Sequence, residues 1–209
     1  MSADVKIRHR GRQEYVPLWH EMQAFTDERD ESTQDEIWFC EHPPVFTMGL
    51  NASEEHLLAP GDIPVVNIDR GGQVTFHGPG QLMVYPLVDL RRAGIGVRKL
   101  VTALEESVVD LAAEYDVNAA ADPKAPGVYV DSTKLASVGL RIRRGSSFHG
   151  MALNVDVELE PFSRINPCGY AQLQMTDLNR LGIELDLDGA AEHLLPHFLK
   201  HLGFANEEN

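Results

Sequence analysis

The sequence of 209 residues predicts a mixed α/β (α+β) fold, in which helices pack on a mixed or antiparallel sheet. Three segments have the periodicity of amphipathic helices, whereas about seven short segments are rich in the β-branched and aromatic residues typical of strands. Several of these strands follow one another directly. A doubly wound parallel sheet needs a helix between successive strands, so the pattern excludes it. Because no linker or repeat interrupts the chain, we expect one domain over residues 1–209.

The three predicted helices differ in how clearly the sequence marks them. The first covers about residues 14–29, and the second, near residues 97–115, has a single apolar stripe that assigns it to the core. The third is expected over about residues 190–202, because Asp188 and Gly189 suit a helix start. The predicted strands cover residues 5–9, 36–41, 65–69, 82–88, 128–130, 134–143 and 148–157.

Charge and composition exclude several classes of function. Eighteen basic against 32 acidic residues give a net charge of −14, which would repel the phosphates of a nucleic acid. No apolar segment approaches the ~20 residues that span a bilayer, and the N-terminus lacks a signal-peptide core. We therefore expect a cytoplasmic protein with no membrane and no nucleic-acid partner. Two distant cysteines and nine scattered histidines lack metal-ligand spacing, so no metal site is predicted.

Residues 70–81 hold four glycines and one proline in twelve positions, between two predicted strands. Glycine lets the backbone approach a ligand closely and exposes its N–H groups. Because Arg70, Gln73, Thr75, His77 and Gln81 lie beside these glycines, we favour a ligand-binding loop over an elaborate hairpin turn. The segment lacks the Gly-Lys-Ser/Thr of a Walker A loop, and no helix follows it as in a dinucleotide fingerprint.

The two cysteines have different surroundings in the sequence. Cys40 lies in an apolar strand, where a thiol behaves as a small hydrophobic side chain. Cys168 lies between Pro167 and Gly169 in an irregular segment, where a turn would expose the sulfur and a following helix could lower its pKa. Cys168 is therefore the candidate nucleophile.

Lys134 begins a predicted strand. A strict period of two places it on the same face as Ala136, Val138 and Leu140, with Ser137 and Gly139 facing the other way. Two interpretations remain open. The lysine either reaches water from the strand end, or it is partly desolvated with a lowered pKa and can accept a proton from a thiol.

Several segments together resemble the octanoyl-[acyl-carrier-protein]:protein N-octanoyltransferase family of lipoate biosynthesis. They are Glu-His-Pro-Pro-Val-Phe-Thr at 41–47, Arg-Gly-Gly-Gln-Val-Thr-Phe-His-Gly-Pro-Gly-Gln at 70–81, Ala-Pro-Gly-Val-Tyr-Val at 125–130, Lys-Leu-Ala-Ser-Val-Gly-Leu-Arg-Ile at 134–142, Phe-His-Gly-Met-Ala-Leu-Asn-Val at 148–155 and Ile-Asn-Pro-Cys-Gly-Tyr at 165–170. The match runs in order from about residue 35 to residue 176, which makes it more specific than any single motif.

The resemblance implies a fold like the catalytic domain of biotin and lipoate protein ligases. It also implies that Cys168 carries an acyl-thioester and that Lys134 is its acid/base partner. His77, a lone histidine beside the glycines, is a candidate to orient the cleft or an alternative base, ranked after Lys134. The walls that bind the acyl group would be Arg70, Gly71, Gly72, Gln73, Val74, Thr75, Phe76, His77, Ser137, Val138, Gly139, Gly150, Met151 and Ala152.

The resemblance further implies the partners. The donor would be octanoyl-acyl carrier protein, with the octanoyl thioester on its phosphopantetheine, and the acceptors would be lipoyl domains of 2-oxoacid dehydrogenase E2 subunits and glycine cleavage H protein. We expect a monomer that needs no ATP, metal or other cofactor, and we expect Arg141, Arg143 and Arg144 to dock the acidic carrier. Alternatives are an ATP-dependent lipoate or biotin ligase, a lipoyl-relay amidotransferase, and a non-catalytic protein that binds carrier or lipoyl domains.

Overall fold

The computed structural model describes residues 5–166 and 173–204. Its helices are α1 (Tyr15–Glu28), α2 (Val97–Ala113) and α3 (Leu187–Leu202). Its strands are β1 (Val5–Arg12), β2 (Asp35–Glu41), β3 (Val45–Met48), β4 (Val65–Asn67), β5 (Val74–His77), β6 (Gln81–Leu87), β7 (Ala119–Ala121), β8 (Gly127–Val130), β9 (Thr133–Arg143) and β10 (Ser146–Asn154). The predicted mixed fold is confirmed.

A seven-stranded sheet forms the centre, in the order β1-β2-β6-β10-β9-β8-β7. Only β1 and β2 pair in parallel, and the other neighbours in this sheet are antiparallel. Helices α2 and α3 cover one face, where Leu104 and Phe198 belong to the same apolar cluster as Val84 of β6. Helix α1 covers part of the other face through Leu18 and Met22. The large sheet is therefore covered by helices on one face and only partly covered on the other.

A second sheet of three strands, in the order β4-β3-β5, lies beside the first. Its strands pack an apolar cluster that includes Phe46 and Phe76, against Phe162. The backbone N–H of Gly71 donates to the Leu140 carbonyl of β9 over 3.1 Å, which joins the glycine-rich segment to the large sheet. The space between this segment and β9 is where the candidate site lies.

Strand β9 contains a β-bulge at Leu135. Val128 of β8 pairs with Ala136, but the next residue, Tyr129, pairs with Lys134, so Leu135 is an extra residue. Leu135 and Ala136 both lie in the core beneath α2 and α3. Lys134 consequently faces the other way. The strict alternation expected from the sequence, with Lys134 on the face of Ala136, Val138 and Leu140, was wrong because one inserted residue shifts the pattern by one.

Other differences concern short elements. Strands β3, β5 and β7 were not predicted, and β5 lies inside the glycine-rich segment that was expected to be a loop. Helix α3 begins three residues earlier than expected: Asp186 is its N-cap, and its carboxylate accepts a hydrogen bond from Gly189 N over 2.8 Å. No helix among the described residues is long and apolar enough to cross a membrane.

Candidate active site

A pocket opens on the face of the large sheet that α2 and α3 leave uncovered, next to the start of α1. Fourteen residues singled out from the sequence line it, namely Arg70, Gly71, Gly72, Gln73, Val74, Thr75, His77, Lys134, Ser137, Val138, Gly139, Gly150, Met151 and Ala152. The structure thus brings together the glycine-rich segment, β9 and β10. Phe76 lies elsewhere, because alternation along β5 directs it to the apolar cluster, where its ring centre is 5.4 Å from that of Phe162.

Arg70 is fixed by the small sheet. Its Nη2 donates to the Thr47 carbonyl over 2.8 Å and to Thr47 Oγ1 over 2.9 Å, and its Nη1 donates to the Gly71 carbonyl. A Cβ at Gly139 would lie 3.2 Å from Arg70 Cδ, so glycine in β9 allows the arginine to lie close to the sheet. The guanidinium therefore forms a rigid, positively charged wall of the pocket.

His77 is buried, and burial lowers its pKa well below the ordinary value, so the ring is neutral at neutral pH. Its Nδ1 donates to Gln81 Oε1 over 2.7 Å, and its Nε2 accepts from Thr47 Oγ1 over 3.2 Å. With both ring nitrogens engaged, this arrangement favours an orienting role for His77 over a role as the base.

A chain of hydrogen bonds leads from His77 towards Lys134. Gln81 Nε2 donates to Asn154 Oδ1, and Asn154 Nδ2 donates to the Thr176 carbonyl, each over 2.9 Å. The Thr176 N–H in turn donates to the Lys134 carbonyl over 3.0 Å. The glycine-rich segment, β10 and the backbone at Lys134 are thus tied into one polar network within the core.

Buried His149 pairs with the partly exposed Asp69 at the end of the pocket away from Lys134. His149 Nε2 lies 2.9 Å from Asp69 Oδ1, and Trp19 and Gln23 of α1 also donate to this carboxylate. Burial raises the pKa of Asp69, but the hydrogen bond and charge of His149 and the other donors outweigh it, and the pKa falls to about 2. Burial lowers the pKa of His149 despite the carboxylate. His149 also has a backbone φ of 56°, which is uncommon for a residue with a side chain.

Lys134 is fully buried, with 0% of its surface exposed. Its Nζ lies 5.2 Å from the centre of the Tyr129 ring, and its Cε and Nζ rest against Gly127. Of the two interpretations that the sequence left open, the one in which Lys134 reaches water was wrong, because the side chain is fully buried. The bulge directs the side chain into the pocket face, and the neighbouring strand closes over it.

The backbone of Lys134 pairs with the segment that follows Cys168. The Lys134 N–H donates to the Gln174 carbonyl over 2.8 Å, and Lys134 forms a parallel bridge with Met175. Before Cys168, the Asn166 N–H donates to the His56 carbonyl over 2.8 Å. Cys168 itself lies outside the described residues, as does Gly169. The chain is therefore anchored on both sides of the candidate nucleophile, and on one side the anchor is Lys134.

Cys40 is buried in β2, as the sequence predicts, and burial raises the pKa of its thiol. It belongs to the apolar cluster beneath α1. Such a thiol is a poor nucleophile.

A sequence model of the lipoyl protein ligase A/B catalytic domain matches residues 15–199. An octanoyltransferase of Pseudoalteromonas atlantica is 59% identical over 208 residues, covering 100% of this chain and 96% of that protein. An octanoyltransferase of Shewanella baltica is 58% identical over 203 residues, covering 97% and 94%. The chain belongs to the octanoyltransferase family. It is an acyltransferase, as the resemblance of its motifs implies.

Two solved structures show the octanoyltransferase fold in more distant proteins. A lipoate-protein ligase A bound with ATP superposes with a TM-score of 0.72 at 14% identity, covering 100% of this chain and 89% of the ligase. A biotin protein ligase of Aquifex aeolicus superposes with a TM-score of 0.56 at 12% identity, covering 96% and 70%. At such identities the likeness is one of fold, and it confirms the predicted biotin and lipoate ligase-like architecture.

Sequence reasoning missed several residues of the octanoyltransferase pocket. Tyr15, Met83 and Tyr85 line it, yet each lies in a segment that the sequence marks only as helix or strand. His149 lies within the recognised segment at 148–155, and a histidine before Gly150 was the available signal. Asp69 ends a predicted strand and carries no local signal, because its partners come from α1 and β10.

Proposed function

We propose that this octanoyltransferase moves an octanoyl group from octanoyl-acyl carrier protein to a lysine of a lipoyl domain, through a thioester on Cys168 and with Lys134 as the acid/base group. The observation that carries this proposal is the position of Lys134, which is fully buried at the pocket and hydrogen-bonded to the segment following Cys168. A buried amine whose backbone pairs with the chain shortly after the candidate cysteine suits the role of a shared acid/base.

In the first half-reaction, Lys134 takes the proton of the Cys168 thiol. The thiolate attacks the carbonyl carbon of the octanoyl thioester, and the bond to the phosphopantetheine sulfur then breaks. Lys134 returns the proton to this leaving sulfur, so the carrier departs as a thiol and the octanoyl group remains on Cys168. One thioester replaces another, so the step needs no external energy source.

In the second half-reaction, the amine of an acceptor lysine attacks the octanoyl-Cys168 carbonyl. The bond to Cys168 sulfur breaks, and Lys134 carries the proton lost by the amine to that sulfur. An amide is more stable than a thioester, so the transfer needs no ATP. We expect the acceptors to be lipoyl domains of 2-oxoacid dehydrogenase E2 subunits and glycine cleavage H protein, in the cytoplasm.

The pocket walls suit an acyl chain. Met83, Val138, Met151 and Ala152 supply apolar surface. The polar groups of Arg70 and His77 beside them already have hydrogen-bond partners, the Thr47 carbonyl and Gln81 Oε1. Burial of an alkyl chain contributes about 0.8 kcal/mol for each methylene group. A donor chain shorter by two methylenes should therefore react roughly tenfold more slowly at limiting concentration.

The experiment is intact mass spectrometry of the enzyme after incubation with octanoyl-acyl carrier protein alone. An octanoyl adduct that hydroxylamine removes, present in the wild type and absent from Cys168→Ala, is the expected result. Cys40→Ala is the matched control and should retain the adduct, because Cys40 is a buried core residue. An enzyme active in full transfer that forms no adduct contradicts the covalent mechanism. ATP-dependent attachment of free octanoate by Cys168→Ala would favour a ligase instead.

A further inference from the structure

A buried carboxylate on α2 approaches the lysine from the edge of the sheet. Glu105 is only 8% exposed and lies beside Leu104 and Val108 of α2, which belong to the apolar core. Its Oε1 accepts a hydrogen bond from the backbone N–H of Gly127 over 2.8 Å. Burying an ionised carboxylate is costly unless it is paired, so its position calls for a specific partner.

Gly127 connects this carboxylate to Lys134. A Cβ at Gly127 would lie 2.5 Å from Lys134 Cε and 3.1 Å from Nζ, so the lysine side chain rests directly on the glycine backbone. Gly127 also has a φ of 138°, which side chains rarely adopt. Glu105 therefore holds the surface against which the amino group of Lys134 lies.

The two charges also interact across this contact. Burial, the largest influence, raises the pKa of Glu105, as does Glu106, while the Gly127 hydrogen bond and the charge of Lys134 act in the opposite direction. The attraction is mutual, so the carboxylate stabilises the protonated lysine. Among the described residues, Arg98, Glu106 and Asp122 line the same surface groove as Glu105, and Tyr129 faces Lys134 from β8.

We propose that Glu105 is a positioning residue for Lys134. It fixes Gly127 beneath the lysine and, through its charge, raises the pH at which Lys134 loses its proton. This inference rests on the proposed acid/base role of Lys134. Neither the motifs that identify the family nor the pocket lining includes Glu105.

The test is the pH dependence of octanoyl-enzyme formation, followed by quenching and intact mass spectrometry. Glu105→Gln keeps an oxygen acceptor for Gly127 N but removes the charge. The rising limb of its pH profile is expected to move to lower pH by about one unit, with a plateau rate close to that of the wild type. Glu105→Leu also loses the bond to Gly127, and its plateau rate should fall at least tenfold.

Glu106→Gln is the matched control, because it removes a charge from the next position on α2, where no hydrogen bond to Gly127 is formed. Its limb should coincide with that of the wild type. If Glu105→Gln does not fold, Glu105→Asp keeps the charge with a shorter reach, so its limb should stay in place while its plateau falls. A shifted limb in Glu105→Asp would then contradict the charge role.

Lys134→Ala separates the two proposals. If it forms octanoyl-enzyme at the wild-type rate, the proposed function fails and the role of Glu105 fails with it. If Lys134→Ala is inactive and the limb of folded Glu105→Gln is unmoved, only the role of Glu105 is overturned.

Discussion

The ring of His149 is held by the carboxylate of Asp69, with His149 Nε2 2.9 Å from Asp69 Oδ1. Because the carboxylate accepts and the ring is neutral, the proton of the ring lies on Nε2 and leaves a lone pair on Nδ1. His149 Nδ1 is buried and has no hydrogen-bond partner among residues 5–166 and 173–204. The pair therefore places a fixed hydrogen-bond acceptor at one end of the pocket.

Asp69→Asn is expected to destabilise the protein by about 1–2 kcal/mol at neutral pH, since hydrogen bonds to a charged group are lost. The folded-state pKa of Asp69 is lowered to about 2, so its contribution is present above the unfolded pKa and disappears as the pH falls through the folded value. The stability difference should thus shrink between about pH 5 and pH 2. Urea unfolding at several pH values checks this, and a difference independent of pH would speak against it.

Lys134→Met should separate stability from activity. Methionine has a similar length and no charge to bury, so the free energy of unfolding is expected to stay the same or rise by about 1 kcal/mol. Octanoyl transfer should fall at least a hundredfold, because the acid/base group is gone. Thermal unfolding and a transfer assay give both readouts, with the exposed Lys99→Met as the control that retains activity. A large loss of stability would point to a structural role for the lysine.

Arg141→Glu tests the predicted docking of the carrier. Arg143 and Arg144 are already bonded to Asp27, over 3.0 Å and 3.1 Å, whereas Arg141 is exposed near the pocket end of β9. Reversal of its charge should raise the KM for octanoyl-acyl carrier protein several-fold and leave turnover of a small octanoyl thioester unchanged. The effect should weaken with added salt. Lys200→Glu, exposed on α3 across the sheet, should leave the carrier KM unaltered. Equal effects on both donors would contradict docking.

Asp35→Asn is expected to cost about 3 kcal/mol of stability, because it breaks a buried ion pair. Asp35 is 2% exposed and accepts from Arg29, from Arg92 over 2.6 Å and from the Asp89 backbone over 2.8 Å. Its loss leaves the buried guanidinium of Arg29 without its counter-charge. Urea unfolding measures the change. Glu160→Gln, which breaks an exposed pair with Arg164, should leave the free energy of unfolding almost unchanged and so serves as the control.

Much of the fold follows from local patterns. The stripe of α2 correctly predicted a core helix, because Leu100, Leu104, Val108 and Leu111 along it belong to the same apolar cluster as the sheet. The short strands β3, β5 and β7 escaped prediction, whereas β4 and β8 of the same length were predicted, because three or four residues give too weak a periodicity to assign every strand. Leu135 is an ordinary strand residue, so the sequence does not predict a bulge there. The bulge is recognised only from the pairing of β9 with β8.

The pocket shows a similar division. Gly71, Gly139 and Gly150 were predicted to bind ligand because their motifs resemble a known family, and they do lie around one pocket. Asp69 and Glu105 could not be chosen in that way. Their importance depends on contacts with His149 and Gly127, which are distant in the chain and become neighbours only when the sheet and helices assemble.

The bulge at Leu135 makes β9 a strand of two phases. Before the bulge, Lys134 faces the pocket. After it, Ala136 and Val138 pack towards the core, and the small residues Ser137 and Gly139 face the pocket. Deleting Leu135 would put the strand into a single phase. Lys134 would then directly precede Ala136 and alternate with it, which keeps the lysine on the face of Ser137 and Gly139. A one-residue shortening would therefore remove a leucine from the core and leave the base on the pocket face.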